Sequence, residues 1–190
     1  MYTKKSLRTE ILSMRNSLSQ EERVEKSNVI ANNLIQTPEF LHADILLLYA
    51  SNKSEVDTKE IHLAAQEKGK IIYYPKVEGK EMEFYPVQNI EDLEEGFRGI
   101  KEPNPEIAKR YVAESGDKIC VIMPGAVFDN EGNRIGYGGG YYDKYLHRLM
   151  KSVPANYICK IAIGFACQVV KTGEIPVEEY DVKYDLLITE

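Results

Sequence analysis

The chain has 190 residues, with 24 lysines and arginines against 30 aspartates and glutamates, giving a net charge of −6. That length suits one α/β domain covering residues 1–190. A content of 43% hydrophobic and 28% charged residues is that of a folded globular protein and excludes disorder over most of the chain. The acidic excess argues against a nucleic-acid partner, which needs a basic footprint.

The three cysteines, Cys120, Cys159 and Cys167, are odd in number and none pair as C-x-x-C, so neither a disulfide framework nor a zinc site is expected. Cys120 lies in an apolar run, where a buried, inert thiol is the ordinary outcome. The opening Met1-Tyr2-Thr3-Lys4-Lys5 has no apolar run of the signal-peptide kind. The longest apolar runs, around 45–50 and 119–124, are too short to cross a bilayer. A cytoplasmic protein with no membrane partner is expected.

Leu7, Ile11, Met14 and Leu18 fall on one face of a first helix. Ser19 with Glu22 three residues later has the form of a capping box. It would start a second helix with Val24, Ser27, Ala31 and Leu34 on one face, ending before Pro38. Residues 44–50 are an almost continuous apolar run, the pattern of a central parallel strand covered on both faces. Asp57-Thr58 can cap a helix over 59–68, stopped by Gly69. Residues 70–74 read as a strand ending at Pro75, and 82–85 as a short strand after a turn at 78–80. The stretch 88–116, with Pro103 and Pro105, reads as a long irregular loop, which in a compact domain is functional or partly disordered. Residues 118–123 form a second buried strand, 141–150 a helix, 157–165 a strand and 185–189 a last short strand. Strands alternating with helices define an α/β class with a mainly parallel sheet and helices on both faces.

Between the strand at 118–123 and the helix at 141–150 lies a glycine-rich segment, with Gly136, Gly138, Gly139 and Gly140. Ligands of open α/β sheets bind at the carboxyl ends of strands. Glycines permit positive φ and close approach of backbone N–H groups, which with a helix N-terminus make an anion site. The segment is not a Walker A loop, since no Gly-Lys-Ser/Thr follows, nor a G-x-G-x-x-G fingerprint, since the third glycine would fall at Tyr141. A tight turn without a ligand is the alternative, but four glycines in five positions are a costly way to make one.

Asp143 falls in the first helical turn, either complementing the helix dipole or serving as a Mg²⁺ ligand beside phosphates. Asp181 and Asp185 could supply a further carboxylate, and Arg134 a phosphate clamp. For either carboxylate alone a solvated surface role is the ordinary reading, and Arg134 as an isolated loop arginine would be unremarkable. Lys4, Lys5 and Arg8 form a basic cluster in an acidic chain, with Lys4 and Arg8 on one helical face. Cations at a helix start oppose its dipole. Such a local conflict points to a functional site.

The segment Pro124-Gly-x-x-Phe-Asp-x-x-Gly-x-Arg-x-Gly-x-Gly-x-Gly-Tyr-Tyr-Asp143 resembles the signature of the 5-formyltetrahydrofolate cyclo-ligase (5,10-methenyltetrahydrofolate synthetase) family. Supporting matches are Lys4-Lys5-Ser6-Leu7-Arg8, Glu55-Val56-Asp57-Thr58 and Gly99-Ile100-Lys101-Glu102-Pro103, so the likeness spans nearly the whole chain. It implies a three-layer α/β/α sandwich similar to ribose-phosphate isomerases and CoA-transferases. It also implies a monomer that uses ATP and Mg²⁺ to turn 5-formyltetrahydrofolate into 5,10-methenyltetrahydrofolate, releasing ADP and phosphate.

Carried over by position, Lys4, Lys5 and Arg8 would contact ATP phosphates. Arg134, Gly136, Tyr137, Gly138, Gly139 and Gly140 would cradle them. Tyr141 and Tyr142 would pack on nucleotide or substrate, and Glu55 and Asp57 would line the folate pocket. Arg134 and Asp143 would be catalytic, Asp143 and Asp181 metal ligands, with Asp185 the lesser alternative to Asp181. Tyr137 stands where the family often has a basic residue, and Tyr180 where His is common. On this reading Asp143→Ala should stop turnover and spare the fold. A sugar-phosphate enzyme of the same fold, needing no ATP, and a non-catalytic nucleotide- or folate-binding module are the competing readings.

Overall fold

The computed structural model describes residues 3–190. In chain order the elements are α1 (Lys4–Ser17), α2 (Gln20–Ile35), α3 (Pro38–His42), β1 (Ile45–Leu47), α4 (Lys59–Glu67), β2 (Ile71–Glu78), β3 (Glu81–Pro86), β4 (Glu94–Glu95) and β5 (Lys101–Glu102). They continue with β6 (Ile119–Met123), β7 (Val127–Asp129), β8 (Arg134–Ile135), α5 (Tyr141–Ser152), β9 (Ile158–Ile163), β10 (Val169–Val170) and β11 (Leu186–Ile188). Six strands form the central sheet in the order β11-β9-β6-β1-β2-β3. All neighbours are parallel except β2 and β3, which are antiparallel.

The apolar runs are buried because both sheet faces are covered. Leu46, Leu48, Cys120, Ile122, Ile161 and Ile163 pack with Ile30, Ala31 and Leu34 of α2, Phe40 of α3 and Ile61 and Ala65 of α4. Ile45, Leu47, Val121, Met123 and Ala162 point the other way, onto Tyr145, Leu146 and Leu149 of α5. Side chains alternate across the sheet with the period of two that strands impose. Each fully buried Leu or Ile contributes roughly 1.5–3 kcal/mol. The result is the three-layer α/β/α arrangement expected. A smaller sheet, β10-β7-β8, carries α1 through Leu7, Ile11, Val127 and Ile135.

Several local expectations need correction. Met14 is 47% and Val24 52% exposed. The buried stripe of α1 is instead Leu7, Ile11 and Arg15, spaced by four, and that of α2 is Ser27, Ile30, Ala31 and Leu34. The capping box of α2 forms on both sides, between Ser19 and Glu22. At α4, however, the Thr58 hydroxyl donates to the Tyr49 carbonyl, and the Asp57 carboxylate takes the Lys59 N–H at 3.0 Å.

Strand β2 runs on through Pro75 to Glu78 because its later half pairs with β3, not β1. The last bond to the β1 side is Leu48 N–H to the Tyr73 carbonyl. The next rung of that parallel ladder would need the N–H that Pro75 lacks. Within the stretch read as irregular, β4 and β5 form a small antiparallel hairpin.

Candidate active site

The chain leaves β1 through α4 on one sheet face and leaves the adjacent β6 through α5 on the other. Loops at the carboxyl ends of two such strands part company and open a crevice. A cavity of about 320 Å³ lies there. Tyr49, Ala50 and Glu55 reach it from the end of β1, Pro124 from the end of β6, and residues 136–143 from the glycine loop and the start of α5. Val77 and Met82 come from β2 and β3, and Phe97, Arg98 and Ile100 from the β4–β5 hairpin. An apolar enclosure with a few convergent polar groups is the usual form of a small-molecule site.

The glycine loop begins α5, with Gly140 as the N-cap residue at φ +64°. Gly138 also has positive φ, at +99°, a region costly for other residues. Gly139 is glycine for a different reason, since a Cβ there would sit 2.5 Å from the Tyr141 ring. The loop thus presents backbone at the positive end of a helix.

Cations converge on it. Arg8 donates through Nε to the Gly136 carbonyl at 2.7 Å. Arg134, with its side chain 4% exposed, donates through Nη2 to Asp143 Oδ1 at 3.1 Å. Its Nε is buried with no hydrogen-bond partner, as is the hydroxyl of Tyr142, on whose ring the guanidinium stacks at 5.6 Å. Each unpaired buried polar atom costs about 1–3 kcal/mol, and a polar ligand in the cavity would relieve that cost.

Lys4 lies 2.6 Å from Asp181 and 2.5 Å from Glu178. Burial pulls its ammonium pKa down, but the bonds and charges of those two carboxylates outweigh it and leave it raised. The dipole conflict at the start of α1, whose first turn has no acidic residue, is therefore answered by carboxylates from the far end of the chain.

Glu55 is partly buried and its Oε2 accepts the Asn52 N–H at 2.9 Å. Burial pushes its carboxyl above the ordinary glutamate range, while Tyr137, the Asn52 amide and the Arg15 charge hold it back. Burial likewise raises the Tyr137 and Tyr142 hydroxyls.

Not every residue singled out in the sequence arrives here. Asp57 is exposed and caps α4 outside the cavity. Lys5 is exposed and does not line the cavity. Asp185 pairs with Lys160 of β9 at 2.8 Å. Sequence reasoning missed Arg15, Phe97, Arg98 and Ile100. Arg15 had a signal: a charge on the buried stripe of Leu7 and Ile11. The hairpin lay in the long stretch read as functional or partly disordered, and Ile100 in a segment matching the family, but no periodicity marks a tip that folds back over a site.

Among the described residues no three His, Cys, Asp or Glu side chains cluster as a metal cage. Mg²⁺ seldom uses such a cage, taking one or two carboxylates together with substrate phosphates. Asp143 Oδ1 accepts the N–H of Val182 at 3.1 Å, which brings its carboxylate against the residue that follows Asp181. Its Oδ2 has no hydrogen bond among the described residues. The donor set fits a cation that arrives with phosphates.

Fold and site together define a class: an α/β protein with a glycine loop at a helix N-terminus beside a largely apolar cavity. The whole chain, residues 1–190, matches the profile of the 5-formyltetrahydrofolate cyclo-ligase family. It is 29% identical over 192 residues to a probable 5-formyltetrahydrofolate cyclo-ligase of Caenorhabditis elegans, covering 98% of this chain and 92% of that one. It is 33% identical over 168 residues to the Schizosaccharomyces pombe protein of the same description, covering 84% and 81%. A solved 5,10-methenyltetrahydrofolate synthetase of Aquifex aeolicus superposes with a TM-score of 0.73 at 34% identity, over 97% of this chain and 88% of the other. The chain belongs to the 5-formyltetrahydrofolate cyclo-ligase family and is a ligase of that family.

Proposed function

We propose that the protein converts 5-formyltetrahydrofolate to 5,10-methenyltetrahydrofolate at the expense of ATP, as a monomeric cytoplasmic enzyme of one domain. The observation that carries this reading is the shared cavity. The glycine loop forms one wall, and Glu55 stands on another among apolar side chains. A phosphoryl donor on the loop and a pterin ring in the enclosure would meet there.

The formamide carbonyl of the substrate is a weak electrophile, and its oxygen is a poor leaving group. That oxygen attacks the γ-phosphorus, the bond to ADP breaks, and an iminium phosphate results. N10 then attacks the formyl carbon and loses its proton. The C–O bond breaks, and phosphate leaves the methenyl bridge between N5 and N10. Both steps depend on alignment and charge stabilisation rather than on a protein nucleophile.

The chain's own groups suit those needs. Lys4 and Arg8 neutralise the phosphates. Arg134, its Nε unpaired, offers a donor to the transferring group. The loop amides face the charge that builds on it. Glu55 bonds the polar edge of the pterin, and Tyr141 and Phe97, with rings 6.3 Å apart edge to face, enclose it. Mg²⁺ would be held by Asp143 and Asp181 and would supply charge neutralisation of the phosphates.

The test is the rise of methenyltetrahydrofolate absorbance on mixing protein, 5-formyltetrahydrofolate, Mg²⁺ and ATP. Product formed without ATP, or none at all, would overturn the assignment.

A further inference from the structure

Arg15 is a buried charge beside the site, bonded to Tyr137 of the glycine loop. Its side chain belongs to a residue only 5% exposed, on the same stripe as Leu7 and Ile11. Removing a guanidinium from water costs several kcal/mol, and an apolar side chain of similar size commonly serves stability as well or better. Among the described residues Arg15 makes no ion pair. Its bonds run to two hydroxyls, Ser54 Oγ at 3.0 Å through Nε and Tyr137 at 2.7 Å through Nη1. The Ser54 hydroxyl in turn donates to Asn16 at 2.5 Å.

Those two partners belong to different segments, of which Tyr137 and the neighbour of Ser54, Glu55, line the cavity. Tyr137 belongs to the glycine loop, between Gly136 and Gly138, and Ser54 is the residue before Glu55. The Glu55 carboxylate accepts the Asn52 N–H. Five groups act on the titration of Glu55 or respond to it: the Arg15 guanidinium, the Tyr49, Tyr137 and Tyr142 hydroxyls and the Asn52 amide. Arg15 is the single cation among them.

We infer that Arg15 is a positioning residue for the folate half of the site, holding the Glu55 carboxylate in place through Tyr137 and Ser54 and tying the segment between β1 and α4 to the glycine loop. The inference rests on the reading of Glu55 as a pterin contact. It separates the two halves of α1: Lys4 and Arg8 serve the nucleotide, and Arg15, two turns further on, serves the folate.

The experiment measures equilibrium binding of 5-formyltetrahydrofolate and, separately, of ADP, at a series of pH values, for the wild type, Arg15→Met, Arg15→Lys and Tyr137→Phe. Losing one hydrogen bond to a charged group predicts about tenfold weaker folate binding in Arg15→Met and Tyr137→Phe, with ADP affinity within about twofold. The pH below which folate binding fails should move upwards in both, because less then favours the ionised Glu55. Arg15→Lys should recover part of the loss. Tyr137→Phe removes one hydroxyl only and remains decisive if Arg15→Met does not fold. Unchanged folate binding in Tyr137→Phe, or equal weakening of folate and ADP with no movement of the pH midpoint, would assign Arg15 to packing alone. A wild type that binds no 5-formyltetrahydrofolate would instead defeat the functional reading.

Discussion

The ammonium of Lys4 rests 2.6 Å from the carboxylate of Asp181, 177 residues away in the chain. Each would have another partner during catalysis, Lys4 the ATP phosphates and Asp181 the metal that accompanies them. Nucleotide and metal would therefore exchange partners with an existing ion pair rather than meet uncompensated charges. Lys4→Ala should weaken ATP binding at least about tenfold and leave folate affinity unchanged, as read by calorimetric titration with each ligand. The loss in stability should be small, on the order of 1 kcal/mol or less, because Lys4 and Asp181 are both partly solvated. Equal ATP affinity would return Lys4 to a surface role.

Asp143 pairs with a guanidinium that is almost wholly buried. Asp143→Ala should therefore cost stability as well as turnover, more than the sequence reading expected. It would leave Arg134 uncompensated, and breaking such a pair costs about 3–5 kcal/mol when fully buried, less here because the carboxylate is partly exposed. Asp143→Asn, which keeps an acceptor for Arg134 and the Val182 N–H, should keep more of the stability and still lose turnover by about a hundredfold or more. Thermal unfolding beside the absorbance assay separates the two effects. Asp143→Asn with full activity would remove Asp143 from the chemistry.

Glu55 bears on stability with an unusual sign. Its carboxyl is raised above its unfolded value by burial. Its protonated form is favoured by folding, so that contribution is present below the unfolded pKa and is lost as the pH rises through the folded one. At neutral pH the ionised Glu55 is a cost to the fold. Glu55→Gln should raise Tm at neutral pH, with the gain shrinking as the pH is lowered, and should weaken folate binding. A Tm that falls at neutral pH would contradict this account.

The glycines of the loop should respond differently to the same methyl group. Gly140→Ala meets no atom within 4 Å but must hold φ at +64°, which costs roughly 1–2 kcal/mol. Gly139→Ala would drive its Cβ into the Tyr141 ring, displacing a wall of the cavity. Folate affinity should fall more in Gly139→Ala than in Gly140→Ala. Steady-state kinetics and unfolding curves on the two variants test the contrast.

Phe97 is 38% exposed and touches the site from the hairpin tip. Phe97→Ala should change Tm little and raise the folate KM several-fold, about 1 kcal/mol of lost contact. A KM equal to that of the wild type would mean that the hairpin does not close on the substrate.

The sequence by itself determined the class of fold and the position of the glycine loop at the start of α5. Both are written locally, in apolar runs such as 119–123, in helical spacing, and in glycines whose backbone needs are met within a few residues. Asp143 was legible for the same reason, as a carboxylate in the first turn after the loop. What only the tertiary structure decided depends on partners distant in the chain. Lys4 was visible as a cation, but its answer in Asp181 and Glu178 was not. Asp57 shares its short segment with Glu55, yet it turns outwards to cap α4 while Glu55 turns into the cavity, a matter of two residues' backbone direction. Arg15 shares the buried stripe of Leu7 and Ile11, but its partners Ser54 and Tyr137, 39 and 122 residues away, could be found only in the folded chain.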